Sequence, residues 1–360
     1  MKAKQIQAQF DAQNRNELRH RSAKRGWMTG LAAAAAVLVF GTVTVGAVNN
    51  WDYSAVFNRY FSEKSGTETA FDFSGMGLDI GDTVEGDGFL LTVQSAVADT
   101  NNLYVAYDVA LSDAVNAEIA QSEEVSLYPY LSLQIFTSDA DAPYPVLNQG
   151  GADLEAVRDE DGIWHGVTVI GMEHGTALDG CQLRIENSEP ALDDDTAIMI
   201  QYAKPDFDEK DWIRLSAPEK IDLCYDLTGI TVQQGMVRDF GQTLPNDANE
   251  NVFDSVTVTP FMLKFESTGH GYGYPAAPQW GMVWGDDREP VEFTAVYADG
   301  TERVLALYGK GAGGGTGGQS SRNPEGGYDW ELTADYYFTT PFTLDGLTEI
   351  RFNGRVITVT

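Results

Sequence analysis

The sequence predicts a mainly β protein, with one N-terminal transmembrane helix and two extracytoplasmic antiparallel β-sandwich domains of immunoglobulin-like type. Three observations lead to this fold class. An uncharged apolar segment occupies residues 27–50, a two-residue hydrophobic alternation begins near Phe71, and short alternating segments separated by turn sequences continue to the C-terminus. Alternation with period two is typical of half-buried strands, and many short strands with little helical periodicity favour a β-sandwich.

The basic N-terminal tail sets the predicted orientation of the membrane helix. Residues 1–26 hold seven of the 23 Lys and Arg residues and two of the 54 acidic residues. Lys and Arg next to a span stay on the cytoplasmic side, so we expect a cytoplasmic tail, a single span of the cell membrane over residues 27–50, and the bulk of the chain outside. Side chains at the membrane interface are expected at both ends of the span: Arg25, Trp27, Trp51 and Tyr53.

The apolar segment has two other interpretations. Val45-Gly46-Ala47 resembles the small-residue cleavage site of a secretory signal peptide, in which case the mature chain would begin near Val48. A buried core helix is the second alternative, although such a helix would not need the change in charge that flanks the segment. The long basic region and the length of the apolar run favour the anchor, because the hydrophobic region of a signal peptide has roughly 7–15 residues.

The acidic composition of the outer part excludes two classes of partner. Residues 27–360 carry 16 basic and 52 acidic residues. Such a surface repels nucleic acid and anionic lipid headgroups, so we expect no nucleic-acid partner. The 310 residues after Asn50 are enough for two domains of ordinary size.

Residues 51–66 are predicted to form an amphipathic juxtamembrane helix and a linker. Tyr53, Phe57 and Phe61 are spaced four apart, which places their rings on one face of a helix. We expect this amphipathic helix to lie near the outer membrane interface, where aromatic side chains are common.

The first β-sandwich is expected over residues 67–217. Its clearest element is a hairpin in which two alternating segments, starting at Phe89 and Leu103, flank the turn sequence Asp99-Thr100-Asn101-Asn102. Further strands are predicted at residues 127–136, 163–172, 182–186 and 197–202, and one short helix at residues 113–121.

The second, immunoglobulin-like β-sandwich is expected over residues 218–360. Strands are predicted at residues 220–227, 230–238, 252–266, 291–297, 302–308, 348–352 and 355–359. Asn353-Gly354 joins the last two and is a strong hairpin signal. Gly309, Gly311 and Gly314 have the spacing of a dinucleotide-binding loop, but no helix pattern follows, so residues 316–327 are predicted to be a flexible loop.

The two cysteines are predicted to be free thiols. Cys181 alternates in phase with the apolar Leu183 and Ile185, whereas Cys224 has the opposite phase to its apolar neighbours. One side chain is therefore expected inside and the other outside.

The sequence contains no motif that identifies a catalytic residue, a metal site or a cofactor site. His20, His165, His174 and His270 lack the spacing of metal ligands. Acidic clusters such as Asp159-Glu160-Asp161 are interpreted as solvated turns, because one cluster rarely supplies the six or more oxygen ligands of Ca²⁺. The protein is therefore expected to be non-enzymatic.

Residues 270–284 concentrate aromatic side chains among Gly and Pro. These aromatics form a candidate surface for an unknown extracellular ligand or partner: Tyr272, Tyr274, Trp280 and Trp284. The favoured interpretation is that the same side chains fold back and cap the open end of the sandwich.

A family resemblance covers most of the chain. The basic tail, the Ala-rich span, the segment VFNRYFSEKSG, and above all Gly88 to Val109 resemble Gram-positive single-pass membrane proteins whose outer domain is of unknown function. Many of these proteins are described as anti-sigma-factor-like. The segment from Val256 to Phe261 is similar to the start of the immunoglobulin-like domain that often follows. The 26 residues before the span are shorter than the cytoplasmic region of many family members.

The resemblance implies a membrane-anchored extracytoplasmic sensor or regulator without catalytic activity. Its tail would bind a sigma factor or another cytoplasmic protein through an apolar stripe formed by Ile6, Phe10 and Leu18. The alternative is a passive surface-binding or adhesion module, in which the tail only sets the topology.

Overall fold

The computed structural model describes residues 52–122, 124–137, 151–172, 176–187, 195–203, 210–217, 220–245, 250–271, 293–306, 313–322, 328–352 and 355–359. The predicted tail and the predicted span lie outside these ranges. Within them, no helix has the length and apolar character that crossing a membrane requires.

The described residues are mainly β, with antiparallel sheets and few helices. The helices are α1 (Tyr53–Ser65) and α2 (Asp113–Ile119). The first group of strands is β1 (Gly77–Gly86), β2 (Phe89–Ala98), β3 (Asn102–Leu111), β4 (Val125–Pro129), β5 (Leu131–Thr137), β6 (Gly151–Arg158), β7 (Trp164–Gly171), β8 (Cys181–Asn187), β9 (Thr196–Ala203), β10 (Lys210–Ser216) and β11 (Asp222–Asp226).

The first group forms one five-stranded sheet and two three-stranded sheets. Their strand orders are β1-β2-β3-β7-β6, β10-β9-β4 and β11-β8-β5. The predicted hairpin is confirmed, since β2 and β3 pair antiparallel around the turn that Asp99 begins. The predicted strand at 127–136 is instead two strands, β4 and β5, which belong to different sheets because the chain changes partner at Tyr130.

The second group forms two sheets. Its strands are β12 (Met236–Pro245), β13 (Glu250–Val258), β14 (Met262–Gly271), β15 (Phe293–Tyr297), β16 (Glu302–Leu305), β17 (Gly313–Arg322), β18 (Tyr328–Tyr337), β19 (Leu347–Phe352) and β20 (Arg355–Thr358). The strand orders are β12-β13-β14-β18-β17 and β16-β15-β19-β20.

Each group buries a core between its sheets. In the first group, one face of the five-stranded sheet packs on both three-stranded sheets through apolar side chains that include Leu91 with Ile200 and Val105 with Leu183. In the second group, Phe265 and neighbouring side chains of one sheet pack on the other. Facing sheets of this kind bury alternate residues along each strand, which explains the two-residue period of the sequence.

Three features of the second half differ from the sequence prediction. The prediction of a loop over 316–327 is wrong for its first part, because residues 313–322 form the strand β17. This strand pairs with β18 through backbone hydrogen bonds, which need no side chain. The strand expected over 252–266 is two strands, β13 and β14, paired around Thr259. The predicted boundary at residue 218 precedes β11, which pairs with β8 of the first group.

One cysteine side chain is buried and the other is exposed, as the sequence predicts. Cys181 in β8 is buried, Cys224 in β11 is exposed, and both are free thiols. Burial raises the pKa of the Cys181 thiol, and partial desolvation by the surrounding protein raises that of the exposed Cys224 thiol.

Candidate functional site

Helix α1 is the element through which the predicted span would join the outer body. Asp52 is its N-cap, with a side chain that accepts a hydrogen bond from the Ser54 amide at 3.0 Å. The helix ends at Gly66, whose φ of 67° is the left-handed conformation that glycine adopts readily. The helix is thus capped at both ends by residues immediately next to it.

The apolar face of α1 is buried in protein. Phe57 and Phe61 are at most 1% exposed and pack on the face of the five-stranded sheet opposite its main core. Their rings lie 5.5 and 6.4 Å from the ring of Phe73, centroid to centroid. The aromatic stripe seen in the sequence therefore forms a core of its own between the helix and the sheet.

A residue of the second group completes this core. Phe261, in the turn between β13 and β14, stacks on Phe61 at 6.1 Å and on Phe73 at 5.9 Å, and its ring lies 4.8 Å from that of Tyr104 in β3. The helix, the first group and the second group thus meet in one aromatic cluster, formed by Phe57, Phe61, Phe73, Tyr104 and Phe261.

Asn58 ties the linker after α1 back to the helix. Its side-chain amide donates to the Phe71 carbonyl at 2.9 Å, and its oxygen accepts from the Phe71 amide at 2.8 Å. At the start of the helix, the Tyr53 hydroxyl accepts from the Gly75 amide at 2.8 Å, and the Tyr53 amide donates to Asp79 at 2.7 Å.

The polar side of α1 meets a cluster of charged residues centred on His165. His165 Nδ1 lies 2.6 Å from Oδ1 of Asp108, and Nε2 lies 3.0 Å from Oδ2 of Asp159. From α1, Arg59 donates to both oxygens of Asp108 at 3.1 and 3.2 Å, and Glu63 Oε2 lies 3.8 Å from Nε2 of His165. The imidazole is only 3% exposed, whereas the Arg59 side chain is 43% exposed, so these residues form a charged cluster between the helix and the sheet that is buried at His165 and open to solvent at Arg59.

The strand register explains how this charged cluster forms. Asp108 follows Tyr104 and Ala106 in alternation along β3, and His165 precedes Val167 and Val169 along β7, so both point to the face that carries α1. The two residues are direct partners in the β3–β7 pairing. The neutral amide of Gln94, from β2, also donates to Asp108.

The surroundings shift the pKa values of three members of the charged cluster: His165, Glu63 and Asp159. Burial opposes the charged form of His165, but the hydrogen bond and charge of Asp108, together with the hydrogen bond to Asp159, raise its pKa. Burial raises the pKa of Glu63 despite the attraction of His165 and Arg59. Burial would also raise the pKa of Asp159, but the hydrogen bonds from His165 and the Ile163 amide hold it below its usual value.

A second buried carboxylate lies where the two groups meet. Asp99 is fully buried; its Oδ1 accepts from the amides of Asn101 and Asn102 at 2.9 Å, and its Oδ2 accepts from the Tyr104 hydroxyl at 2.9 Å. The Thr259 side chain of the second group is a further hydrogen-bond partner. Burial raises the pKa of Asp99 although these hydrogen bonds lower it.

A cleft of about 520 Å³ opens between the linker and the second group. Glu68 and Asp72 of the linker line one side, and Arg303 and Asp345 line the other, together with several threonine hydroxyls. The lining therefore carries mostly hydrogen-bonding and charged groups, in contrast to the aromatic cluster next to it.

The geometry limits what these residues can do chemically. Both ring nitrogens of His165 face carboxylates and the ring is buried, so in this arrangement it does not reach a substrate in solution. In the described part of the chain, no group of three or more His, Cys, Asp or Glu side chains is placed to hold a metal ion. The charged cluster can bind and release protons, and two of its members, Arg59 and Glu63, belong to α1.

Most of the predicted site residues lie outside the described ranges. This holds for Arg25, Trp27 and Trp51 at the predicted membrane interface, for Ile6, Phe10 and Leu18 in the tail, and for Tyr272, Tyr274, Trp280 and Trp284 in the aromatic segment. Tyr53 is described, and it is half-buried against the protein with its hydroxyl bonded to Gly75.

Sequence reasoning missed the charged cluster. It considered His165 only as a metal ligand and Asp159 only as part of a solvated turn, whereas the two side chains bind each other. A signal was present: Asp108 and His165 occupy strand positions in phase with buried apolar residues, and Arg59 and Glu63 lie one helical turn apart beside the aromatic stripe.

The chain is similar to a protein-family model and to a solved structure. Residues 21–110 match the model of a family described as a domain of unknown function, DUF4179, and this match includes α1 and ends in β3. A comparison with curated proteins found no match. The structure is similar to the crystal structure of a conserved domain protein from Bacillus anthracis, with 12% identity, a TM-score of 0.36, and coverage of 78% of this chain and 77% of that chain.

Proposed function

We propose that the protein is a membrane-anchored extracytoplasmic sensor that regulates a cytoplasmic partner and has no catalytic role. One observation carries the proposal: α1, which follows the predicted span after only Trp51 and Asp52, is packed against both groups of sheets through Phe61 and Phe261. A helix held in this way would pass a rearrangement of the outer body to the span.

The finer parts of the proposal rest on the sequence and on the described sheets. The charge step around residues 27–50 supports a span with a cytoplasmic N-terminus. The two facing sheets of the second group support an immunoglobulin-like assignment for that part of the chain. The anti-sigma-factor resemblance and the stripe formed by Ile6, Phe10 and Leu18 support a sigma factor as the cytoplasmic partner.

The topology can be tested with the chain's own thiols. Cys224 is exposed and Cys181 is buried, so a membrane-impermeant maleimide added to intact cells should label the wild-type protein and a Cys181→Ser variant, but not a Cys224→Ser variant. Labelling of Cys224 only after the cells are permeabilised would place the outer body inside and overturn the proposal.

The regulatory role can be tested by capturing the full-length chain from crosslinked cells. We expect a sigma factor to be retained by the wild type and lost with Phe10→Asp, while Gln9→Asp, which adds the same charge beside the stripe, retains it. If none of the three proteins retains a sigma factor, the regulatory function fails and the passive surface-binding module takes its place.

A further inference from the structure

The charged cluster between α1 and the five-stranded sheet is a proton-binding site at the contact that the proposed function uses. We propose that a proton on His165 strengthens the contact of α1 with the sheet, and that loss of this proton as the pH rises weakens that contact, so that external alkalinity is the stimulus. This inference rests on the proposed function, because it names the signal for the same helix.

Both nitrogens of His165 lie at hydrogen-bond distance from a carboxylate, an arrangement that fits a protonated ring. A protonated imidazole has two N–H groups, which match the carboxylates of Asp108 at 2.6 Å and Asp159 at 3.0 Å. A neutral imidazole has only one N–H group. After deprotonation, one nitrogen therefore turns a lone pair towards a carboxylate at hydrogen-bond distance, which is repulsive.

The charges facing His165 come from three elements, and they amplify the effect. Asp108 comes from β3, Asp159 from the turn after β6, and Arg59 and Glu63 from α1, while β2 contributes only a neutral amide. When His165 is protonated, three carboxylates face two cations. When it is neutral, the same three carboxylates face Arg59 alone.

Glu63 is the member of the cluster through which this repulsion acts on the helix. Its buried Oε2 has no hydrogen-bond partner among the described residues, and it lies 3.8 Å from Nε2 of His165, which attracts its charge more strongly than Arg59 does. Asp108 keeps its hydrogen bonds from Arg59 and Gln94 when His165 loses its proton. The carboxylate of Glu63 has no hydrogen bond of this kind, so the repulsion among the carboxylates acts on α1 through Glu63.

The direction of the pH effect follows from the proton affinities. The pKa of His165 is raised in the docked arrangement, so its contribution is complete below about pH 6.5, the ordinary value for histidine, and is lost as pH rises through the higher docked value. The pKa of Glu63 is also raised, so ionisation of Glu63 weakens docking in the same direction. The lowered pKa of Asp159 keeps that carboxylate charged well into the acid range.

Hydrogen exchange of the full-length chain in lipid nanodiscs tests this inference. After correction for intrinsic exchange rates, we expect the protection of amides in α1 to fall about tenfold between pH 6 and pH 9, while amides in β8 keep their protection.

Two variants are expected to change the protection of α1 in opposite directions, so a general folding defect would not explain both results. Glu63→Gln removes the charge that lacks a hydrogen-bond partner, so it should retain protection of α1 at pH 9. His165→Gln has no proton to lose, so it should show low protection of α1 that does not change between pH 6 and pH 9. Glu68→Gln, which removes an exposed carboxylate just after the helix, is the matched control and should behave like the wild type.

The outcomes separate this inference from the proposed function. Protection of α1 that does not change with pH in the wild type, or a loss at pH 9 that Glu63→Gln does not prevent, would overturn the proton-controlled contact whatever the tail binds. Loss of protection at pH 9 without any sigma factor bound at either pH would support the contact and contradict the regulatory function.

Discussion

The ring of Phe61 in α1 stacks on the ring of Phe261 in the turn between β13 and β14, with centroids 6.1 Å apart and planes inclined by 12°. Both side chains are at most 2% exposed. Because 200 positions of sequence separate them, this contact closes the chain into one body at the point where the predicted span would emerge. The stability of the helix contact and that of the contact between the two groups are therefore linked.

Replacing Phe261 by Ala should remove the shared ring of this cluster. We expect a loss of about 3–5 kcal/mol in the free energy of unfolding, the usual cost of truncating a buried aromatic side chain. Denaturant unfolding followed by circular dichroism would measure the change. Val304→Ala, at a position that is 56% exposed, is the control and should change stability by about 0.5 kcal/mol at most.

The coupling between the two rings is a separate quantity. In a double-mutant cycle with Phe61→Ala, the coupling energy should be about 0.5–1.5 kcal/mol, as for other aromatic pairs. Fully additive losses would show that the two rings stabilise the protein independently.

Asp99 should be sensitive to truncation because it accepts four hydrogen bonds in the interior. Asp99→Ala leaves the Asn101 and Asn102 amides and the Tyr104 and Thr259 hydroxyls without this acceptor, and we expect a loss of about 3 kcal/mol or more in unfolding free energy. Asp99→Asn keeps one oxygen and the shape, so it should cost about 1 kcal/mol.

The control for Asp99 is the exposed Asp87, which precedes β2. Asp87→Ala should leave stability within about 0.5 kcal/mol of the wild type in the same unfolding experiment. Equal effects of Ala at positions 87 and 99 would mean that the buried hydrogen bonds of Asp99 contribute nothing net.

Part of the fold could be predicted because the clearest turn sequences, each flanked by alternating segments, form hairpins in the structure. The Asp99 turn between β2 and β3 and the Asn353-Gly354 signal between the last two strands each separate two alternating segments, and both predicted strand pairs are confirmed. The strand β17 was missed because its glycines carry no hydrophobic pattern; its pairing with β18 is made by the backbone alone. The switch from β4 to β5 was missed because one continuous apolar alternation runs across Tyr130.

The charged cluster could not be predicted from spacing along the chain. His165 and Asp108 are 57 residues apart, and only the register between β7 and β3 brings them together. Likewise, the spacing of Phe57 and Phe61 predicts a helix with an aromatic face, but it does not identify the surface that covers this face. The structure shows that the covering surface is protein, with Phe73 and Phe261 in contact.

Gly166 should not tolerate a larger side chain, because the Tyr107 ring lies over it. A Cβ atom at position 166 would lie 2.3 Å from the ring of Tyr107, its direct partner in the β3–β7 pairing. We expect Gly166→Ala to lower the unfolding free energy by about 1–3 kcal/mol, the usual cost of overpacking. Thermal unfolding followed by circular dichroism would detect this loss.

The same substitution in a Tyr107→Ala background is the control for Gly166. Without the ring, Ala at position 166 should be neutral or stabilising by roughly 0.5–1 kcal/mol, because alanine loses less conformational freedom in a strand than glycine does. An equal loss in both backgrounds would show that the ring is not the cause.

Asp335 in β18 should make the stability of the second group depend on pH. It lies opposite Lys264 in the β14–β18 pairing, and its buried Oδ1 has no hydrogen-bond partner among the described residues. Burial raises its pKa to about 6, although Lys264 lowers it and the charges of Glu266 and Asp99 add to the increase. A carboxyl group whose pKa is raised by folding stabilises the protonated protein, so stability should fall as pH rises from about 4 to about 7.

Asp335→Asn should remove this dependence, because the amide cannot ionise. At pH 8 the variant should be more stable than the wild type by about 1–3 kcal/mol, whereas at pH 4 the two should be nearly equal. Denaturant unfolding at both pH values measures the difference, and Asp329→Asn, at an exposed position of the same strand, is the matched control. If Asp335→Asn changes the free energy of unfolding equally at pH 4 and pH 8, its effect is one of packing, and the raised proton affinity of Asp335 is refuted.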